Sequence, residues 1–399
     1  MRWPQPLITS LVCGLTLAGA AAPAAAGTYK LLYSFQGGAG GADPTGALLE
    51  VNGTLYGTTS MGGYPNVGTL FSLDLANGAE TDIHVFPGGP DGATPVGSLV
   101  AIGEKLYGVT RSGGLSNACT VEGGCGTAFS LNIKTGAVKV LYHFQDGADG
   151  AYPLAGLINV GGTLYGTTLV GGSTSQCSGC GTVFALNPAK RAETVLYAFQ
   201  GGNDGSMPAA ALIDVDGVLY GTTSGGGGST ACYNDCGTVF SLNPKTGTEK
   251  ILYRFQGGND GAEPVAALLN VNGTLYGTTL AGGTAGKGTV FAWNLATGTE
   301  TVIQSLSEQK GASPYAGLVR MGPELYGTTQ DGHCHVVYCG VLYSVKIKSD
   351  AEKVALAFRS TNSGSPDGGL IDVGGTLYGT TYDGGACSYG CGTIYSFTP

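Results

Sequence analysis

With 399 residues and a formal charge of −9, the chain is acidic, which argues against nucleic acid or an anionic membrane surface as partner, since both demand a basic patch. Its 73 glycines follow no Gly-X-Y period, which excludes collagen, and a 42 % hydrophobic content excludes a disordered tract. Length alone would indicate two or three domains, but an internal repeat overrides that prior.

Residues 1–26 read as a secretory signal. Arg2 supplies the positive start, Leu7 to Ala21 is mostly apolar, and Ala24-Ala25-Ala26 offers small residues for cleavage before Gly27. The apolar run is too short and Ala-rich for a membrane span. Leu11-Val12 are too bulky to make Cys13 a lipidation site, and no later stretch is apolar enough to cross a membrane. Removal of this leader takes Arg2 and no acid, so −9 becomes more negative by one. A secreted or periplasmic location is expected.

The remaining chain, residues 27–399, is organised around Leu-Tyr-Gly-Thr-Thr, which begins at Leu55, Leu164, Leu219, Leu275, Leu325 and Leu377, with Leu-Tyr-Gly-Val-Thr at Leu106. Seven copies at so regular a spacing mean a repeat architecture. Residues 195–251 show one unit. Val195 to Phe199 is a strand of β-branched and aromatic residues, and Gln200 to Gly205 is a loop. Ala209 to Val215 is a small-residue strand, Asp216-Gly217 a tight hairpin turn, and Val218 to Thr223 the signature strand. Gly237 to Leu242 follows a Gly-rich loop bearing Cys232 and Cys236, and Asn243 to Gly247 turns the chain into the next outer strand.

These are four short antiparallel strands per unit, termed a (after the Pro), b (Leu-Tyr-Gly), c (Gly-Thr-Val-Phe) and d (Leu-Tyr-x-Phe). Such units, seven times over, predict an all-β, seven-bladed β-propeller in a single domain over 27–399. Small pairs such as Gly46/Ala47, Ala210/Ala211 and Gly368/Gly369 suit inner strands converging on an axis, and the strand b Gly marks a close approach, expected here between blades. The last repeat stops after strand c, whereas Lys30 to Phe35 matches strand d and nothing else. Pairing the two completes the seventh blade and removes its open edge.

In this topology the d-to-a and b-to-c loops share one face, and these are the variable ones, so function is expected there. Ten cysteines lie in b-to-c loops as local pairs, Cys119/Cys125, Cys177/Cys180, Cys232/Cys236, Cys334/Cys339 and Cys387/Cys391. Behind an export signal such pairs read as disulfides stapling the longer loops; the rival reading, zinc, has the right spacing only at Cys177/Cys180. Asp91, Asp149, Asp204 and Asp260 in Asp-Gly-x-x-Pro are read as turn residues bonding their own backbone, with a calcium ring as the alternative. The tyrosines of strand b are read as inter-blade packing.

Departures from the repeat are better functional candidates than its consensus. Arg111, Gln330 and Tyr382 stand just past strand b where most copies have Ser or Leu; Asp331 and Asp383 follow. His333 breaks a Gly-Gly doublet, His335 lies in the adjacent cysteine loop, and Lys310 replaces the d-to-a Asp. Repeats 6 and 7 thus gather ionisable groups in one sector. No hydrolase, metalloprotease or phosphate-loop motif is present, so no catalytic residue, metal or cofactor is assigned.

The combination Leu-Tyr-Gly-Thr-Thr, Gly-Gly, Gly-Thr-Val-Phe, Leu-Tyr-x-Phe and Asp-Gly-x-x-Pro over residues 29–397 resembles the GloVer tandem-repeat family of exported bacterial proteins, with a weaker likeness to kelch propellers. The resemblance implies a propeller-like secreted protein and carries no catalytic residues; a C-terminal anchor, found in some relatives, is not seen before Pro399, so release is expected. The function expected is binding of a glycan or protein through the variable face, by a monomer. A propeller enzyme acting on polysaccharide (hydrolase or lyase) and a structural surface protein are the alternatives.

Overall fold

The computed structural model describes residues 27–120, 123–172, 177, 179–332, 340–347, 352–358, 364–385, 387 and 390–399. They form seven antiparallel sheets, each built on four strands, which stand around a common axis as a seven-bladed propeller. Blade 4 is representative: strand a is Ile213–Val215, b Val218–Thr223, c Thr238–Asn243 and d Thr248–Arg254. Its a-to-b hairpin holds Asp216 at φ 54° and Gly217 at φ 80°, the left-handed pair that a two-residue turn requires and that Asp-Gly accepts at least cost.

The ring closes as the sequence predicts. Thr28–Ser34 pairs antiparallel with Thr393–Thr398, from Thr28 opposite Thr398 to Ser34 opposite Thr393. The Phe35 N–H donates to the Gly392 carbonyl at 3.0 Å and continues the zipper. Every c–d pair carries one bulge, with Leu32, Ile83, Leu141, Leu196, Leu252, Ile303 and Ala355 as the extra residues. A bulge twists its strand and re-aims the side chain beyond it, which is Tyr33, Tyr142, Tyr197 or Tyr253 in four blades and His84, Gln304 or Leu356 in the other three.

The core lies between blades. Phe86, at the end of one strand d, packs on Phe129 of the next strand c with ring centroids 5.2 Å apart. The same edge-to-face contact joins Phe35 to Phe71, Phe144 to Phe184, Phe199 to Phe240, Phe255 to Phe291 and Phe358 to Tyr395. Tyr56 of strand b is buried in the same cluster as Leu106 and Phe129 of the following blade, so the repeated tyrosine packs blades together. A threonine pair ties six of the seven sheets internally: the second Thr of the signature bonds the Thr of strand c, as in Thr223 Oγ1 to Thr238 Oγ1 at 2.7 Å and Thr381 Oγ1 to Thr393 Oγ1 at 2.7 Å, whereas in blade 6 Thr329 Oγ1 accepts the N–H of Val341 at 3.3 Å.

Two expectations are corrected. The strand b Gly does not admit a neighbouring blade. A Cβ on Gly221 would stand 2.7 Å from Phe240 Cζ, the residue paired opposite it in its own blade. All seven copies make this room for a strand c ring, Tyr343 and Tyr395 in blades 6 and 7. Gly221→Ala is therefore expected to cost about 1–3 kcal/mol through overpacking, seen as a lower denaturant midpoint; an unchanged midpoint would refute the assignment. Strand a is also shorter than predicted, since in blade 4 its pairing begins at Ile213, not Ala209. Its first half reaches the axis, where backbones meet one another instead of strand b. A Cβ on Gly46 would lie 2.2 Å from the Gly97 carbonyl oxygen, and one on Gly156 2.5 Å from that of Ser98.

Candidate functional site at the propeller axis

The d-to-a and b-to-c loops share one face and are bonded to each other within each blade, for example Gly172 N–H to the Gly147 carbonyl at 2.9 Å and Gly227 N–H to the Asp204 carbonyl at 2.7 Å. Among the described residues four disulfides lie in these loops, Cys119–Cys125, Cys177–Cys180, Cys232–Cys236 and Cys387–Cys391. Cys180 is thus bonded within a pair whose spacing would also have suited zinc. The second cysteine of each pair is buried in an inter-blade cluster, so the staples cap the core as well as order the loops. Cys334 and Cys339 lie outside the described residues.

Around the outside of this face the blades are joined by a recurring polar device. Tyr142 Oη donates to Asp149 Oδ2, Tyr197 to Asp204 and Tyr253 to Asp260, each at 2.9 Å. The same carboxylates accept the backbone N–H of Gln145, Gln200 and Gln256. The aspartates therefore do order their own loop, as expected, but through an N–H four residues back, and they also tie it to strand d. Each faces a strand d glutamate of the next blade, Glu193, Glu249 or Glu300. Burial first, and then the charge of that aspartate, push each glutamate from 4.5 up to about 7. At the next junction Lys310 takes the aspartate position and Gln304 the tyrosine position. Gln304 donates to Glu352 Oε2 at 3.1 Å, and Lys310 Nζ lies 3.9 Å from the same oxygen. Lys310 is thus a junction residue, not a neighbour of the axial groups below.

The second feature is the mouth of the axis. A cavity of about 240 Å³ sits there, walled by the small residues that follow each repeated proline. The residue just after that proline is Thr45, Val96, Leu154, Ala209, Val265, Tyr315 or Asp367. One arc of the mouth is therefore apolar, and the arc of blades 6, 7 and 1 carries a phenol, a carboxyl and a hydroxyl. Asp367 lines the cavity. Its carboxyl is pushed from 3.8 up to about 7, by burial first and then by the charge of Asp383, while a side-chain hydrogen bond with Gln330 works the other way and Asp331 adds repulsion. Tyr382 bonds Asp43, whose carboxyl is also raised, chiefly by burial. Asp383 Oδ1 accepts the N–H of Ser365, two residues before Asp367. Tyr315 and Tyr382 remain 43 % and 36 % exposed, so two aromatic faces are open beside the acids.

The sequence profile described as Gloeobacter/Verrucomicrobia repeat matches residues 21–233 and 229–399, which is nearly the whole chain. The protein belongs to the Gloeobacter/Verrucomicrobia repeat family. No curated protein matches it. Among solved structures it is similar to the extracellular domain of a protein described as a one-component system of B. thetaiotaomicron, with a TM-score of 0.57 and 13% identity, covering 92% of this chain and 40% of that one. It is also similar to an oligogalacturonate lyase in complex with manganese (TM-score 0.53, 11% identity, 94% of this chain and 98% of that one). A third is oligogalacturonate lyase from Vibrio parahaemolyticus (TM-score 0.54, 9% identity, 93% of each chain). At such identities the likeness is of fold alone.

In this Gloeobacter/Verrucomicrobia repeat protein, Gln330, Asp331, Tyr382 and Asp383 come together around Asp367. Lys310 sits at the outer junction of blades 5 and 6, and Arg111 ends strand b of blade 2, on the far side of blade 1 from that group. His333 and His335 lie outside the described residues. Asp367, Asp43, Tyr315 and Thr45 escape a reading of the variable loops because they flank the repeated proline, in the part of the unit that otherwise looks invariant in character. Aligning only the residue after that proline exposes Asp367 as the one acid among seven. Four disulfides indicate an oxidising compartment outside the cytoplasm, and among the described residues no helix is long and apolar enough to cross a membrane.

Proposed function

We propose that this protein is an exported binding propeller, its leader removed near Ala26, that takes a neutral or cationic sugar chain at the mouth of its axis. The observation that carries the reading is the convergence of Asp367, Gln330, Asp383 and the exposed Tyr382 in the one polar arc of an otherwise apolar ring. Carboxylates and an amide match sugar hydroxyls, and an exposed phenol ring offers the flat face on which a pyranose stacks. The same carboxylates repel a polyuronate, so the substrate in the names of the lyases of similar fold is not carried over to this chain.

Oligosaccharide-array binding followed by calorimetry tests it. Tyr382→Ala and Gln330→Ala are expected to weaken the best ligand about tenfold or more, roughly 1.4 kcal/mol, while Arg111→Ala and Lys310→Ala leave it unchanged. Equal weakening by all four, or by none, would remove the axis mouth as the site. Asp367, raised to about 7 beside Asp383, also suits general acid–base work on a glycosidic bond, and sugar release that Asp367→Asn stops would move the reading to a hydrolase.

A further inference from the structure

Among the described residues, several buried polar atoms without a hydrogen-bonding partner lie in the same arc, beside others at the blade junctions. Those of the arc include Asp367 Oδ1, Thr45 Oγ1, Ser365 Oγ, Thr380 Oγ1, Thr328 Oγ1 and Thr58 Oγ1. The comparison with the opposite blades is direct. There the first Thr of the signature bonds the inner segment of the next blade: Thr167 Oγ1 donates to the Ala210 carbonyl at 3.3 Å and Thr222 Oγ1 to that of Ala266 at 3.4 Å. Its counterparts Thr58, Thr328 and Thr380 are equally buried, at 2 %, 0 % and 1 % exposed, yet make no such bond. An unsatisfied buried polar group costs about 1–3 kcal/mol, and of these atoms Asp367 Oδ1 and Thr45 Oγ1 belong to residues that line the cavity, where an occupant would supply the missing partner.

Ser365 and Thr380 bracket Asp367. Ser365, 1 % exposed, is held by its own N–H on Asp383 and by its carbonyl, which accepts the Tyr382 N–H at 2.7 Å. Thr380 Oγ1 would lie 2.2 Å from a Cβ on Gly368, so it abuts the backbone between Asp367 and Gly369, both of which line the cavity. Among the described residues, the charges that act on this point have one sign. Asp383 and Asp331 act on Asp367, Asp43 and Asp367 act on Tyr382, and Asp367, Asp331 and Glu263 act on Tyr315. Among the described residues, no Lys, Arg or His lines the cavity.

We infer that the axial cavity holds a protonated primary amine, presented by an amino sugar of the bound chain. The inference rests on the sugar-binding reading and narrows its ligand class. An ammonium donates three hydrogen bonds and accepts none, so it matches carboxyl and hydroxyl oxygens and would relieve the repulsion among the four aspartates. The exposed faces of Tyr315 and Tyr382 add the attraction of a ring quadrupole for a cation. A neutral hydroxyl in its place leaves the carboxylate repulsion uncompensated, and an N-acetyl group is both uncharged and larger.

Calorimetry with three tetrasaccharides of β-1,4-linked units decides it: glucosamine, N-acetylglucosamine and glucose. The glucosamine chain is expected to bind about tenfold or more tightly than either of the others. Asp367→Asn is expected to reduce that preference to within about twofold while the wild-type melting temperature is kept or exceeded, because the amide removes a carboxyl charge that burial and Asp383 already disfavour. If Asp367→Asn does not fold, Asp43→Asn, at a left-handed residue where Asn is well tolerated, is expected to reduce the preference in part. Equal binding of all three chains, lost with Tyr382→Ala, would overturn the amine inference and leave the sugar reading in place. Binding of none of them, with binding on the array of an unrelated neutral glycan, would overturn the amine inference alone. No binding to any glycan would overturn both.

Discussion

Deleting residues 27–35 is expected to abolish cooperative unfolding of the protein at ambient temperature, not to trim its melting point. Those residues are the whole outer strand of blade 7, paired with Thr393–Thr398 along its length. Phe35 is fully buried and its ring lies 5.0 Å from that of Phe71, so its loss also opens the junction between blades 7 and 1. Losing such a ring alone costs about 3–5 kcal/mol, against a total of about 5–15 kcal/mol for a typical folded domain. The deletion removes the strand as well, and leaves Thr393–Thr398 as an open edge that invites association with other chains. Circular dichroism during heating, with light scattering, checks this. A truncated chain that melts within a few degrees of the full one would show that ring closure contributes little. Phe35→Ala alone is expected to give the smaller loss of about 3–5 kcal/mol.

Raising the pH from 5 to 8 is expected to destabilise the protein, and three glutamates are the main cause. Glu193, Glu249 and Glu300 rise from 4.5 to about 7 on folding. Between those values the folded chain binds more protons than the unfolded one, so stability falls as pH rises through the window and levels off above it. It is fully present below about 4.5 and gone once the folded groups ionise. A shift of this size would be worth about 3 kcal/mol per group if fully expressed. The groups are only half buried, and solvent screening reduces this to about 1 kcal/mol each, about 3 kcal/mol for three separated junctions. His84 and His143 act in the opposite sense below 6.5, because burial lowers both imidazoles. The carboxyl effect is therefore isolated by comparison with Glu193→Gln/Glu249→Gln/Glu300→Gln, in which an amide mimics the protonated acid. That variant is expected to match wild type at pH 5 and to exceed it at pH 8 in melting temperature. A wild-type melting point that holds level or climbs from pH 5 to 8, with the variant tracking it, would exclude protonated glutamates at these junctions.

The Lys310 junction illustrates why some of this was hidden. Read along the chain, Lys310 is a charge where other repeats have an acid, and so looks functional. In space it is a compensated swap: the tyrosine position has become Gln304, and lysine and glutamine together serve a Glu352 whose side chain is 1 % exposed. The three positions are about 6 and 42 residues apart, and only the blade junction brings them together. Asp367 shows the converse. It sits in the most repetitive part of the unit and looks like a turn residue until seven inner segments converge and make its position the rim of a cavity.

What the amino-acid order determined by itself was local or periodic: the number of blades, the strand b and hairpin boundaries, the face that bears the long loops and the partners of the four disulfides described. It also determined ring closure, because an unmatched outer strand at one end and a missing one at the other leave a single way to satisfy both edges. Only the tertiary structure decided what the glycine of strand b makes room for, where the bulges re-aim the tyrosines, and which acids meet. Those depend on contacts between segments tens of residues apart, and a one-residue bulge or an unpaired half-strand at a crowded axis leaves no periodic trace in the chain.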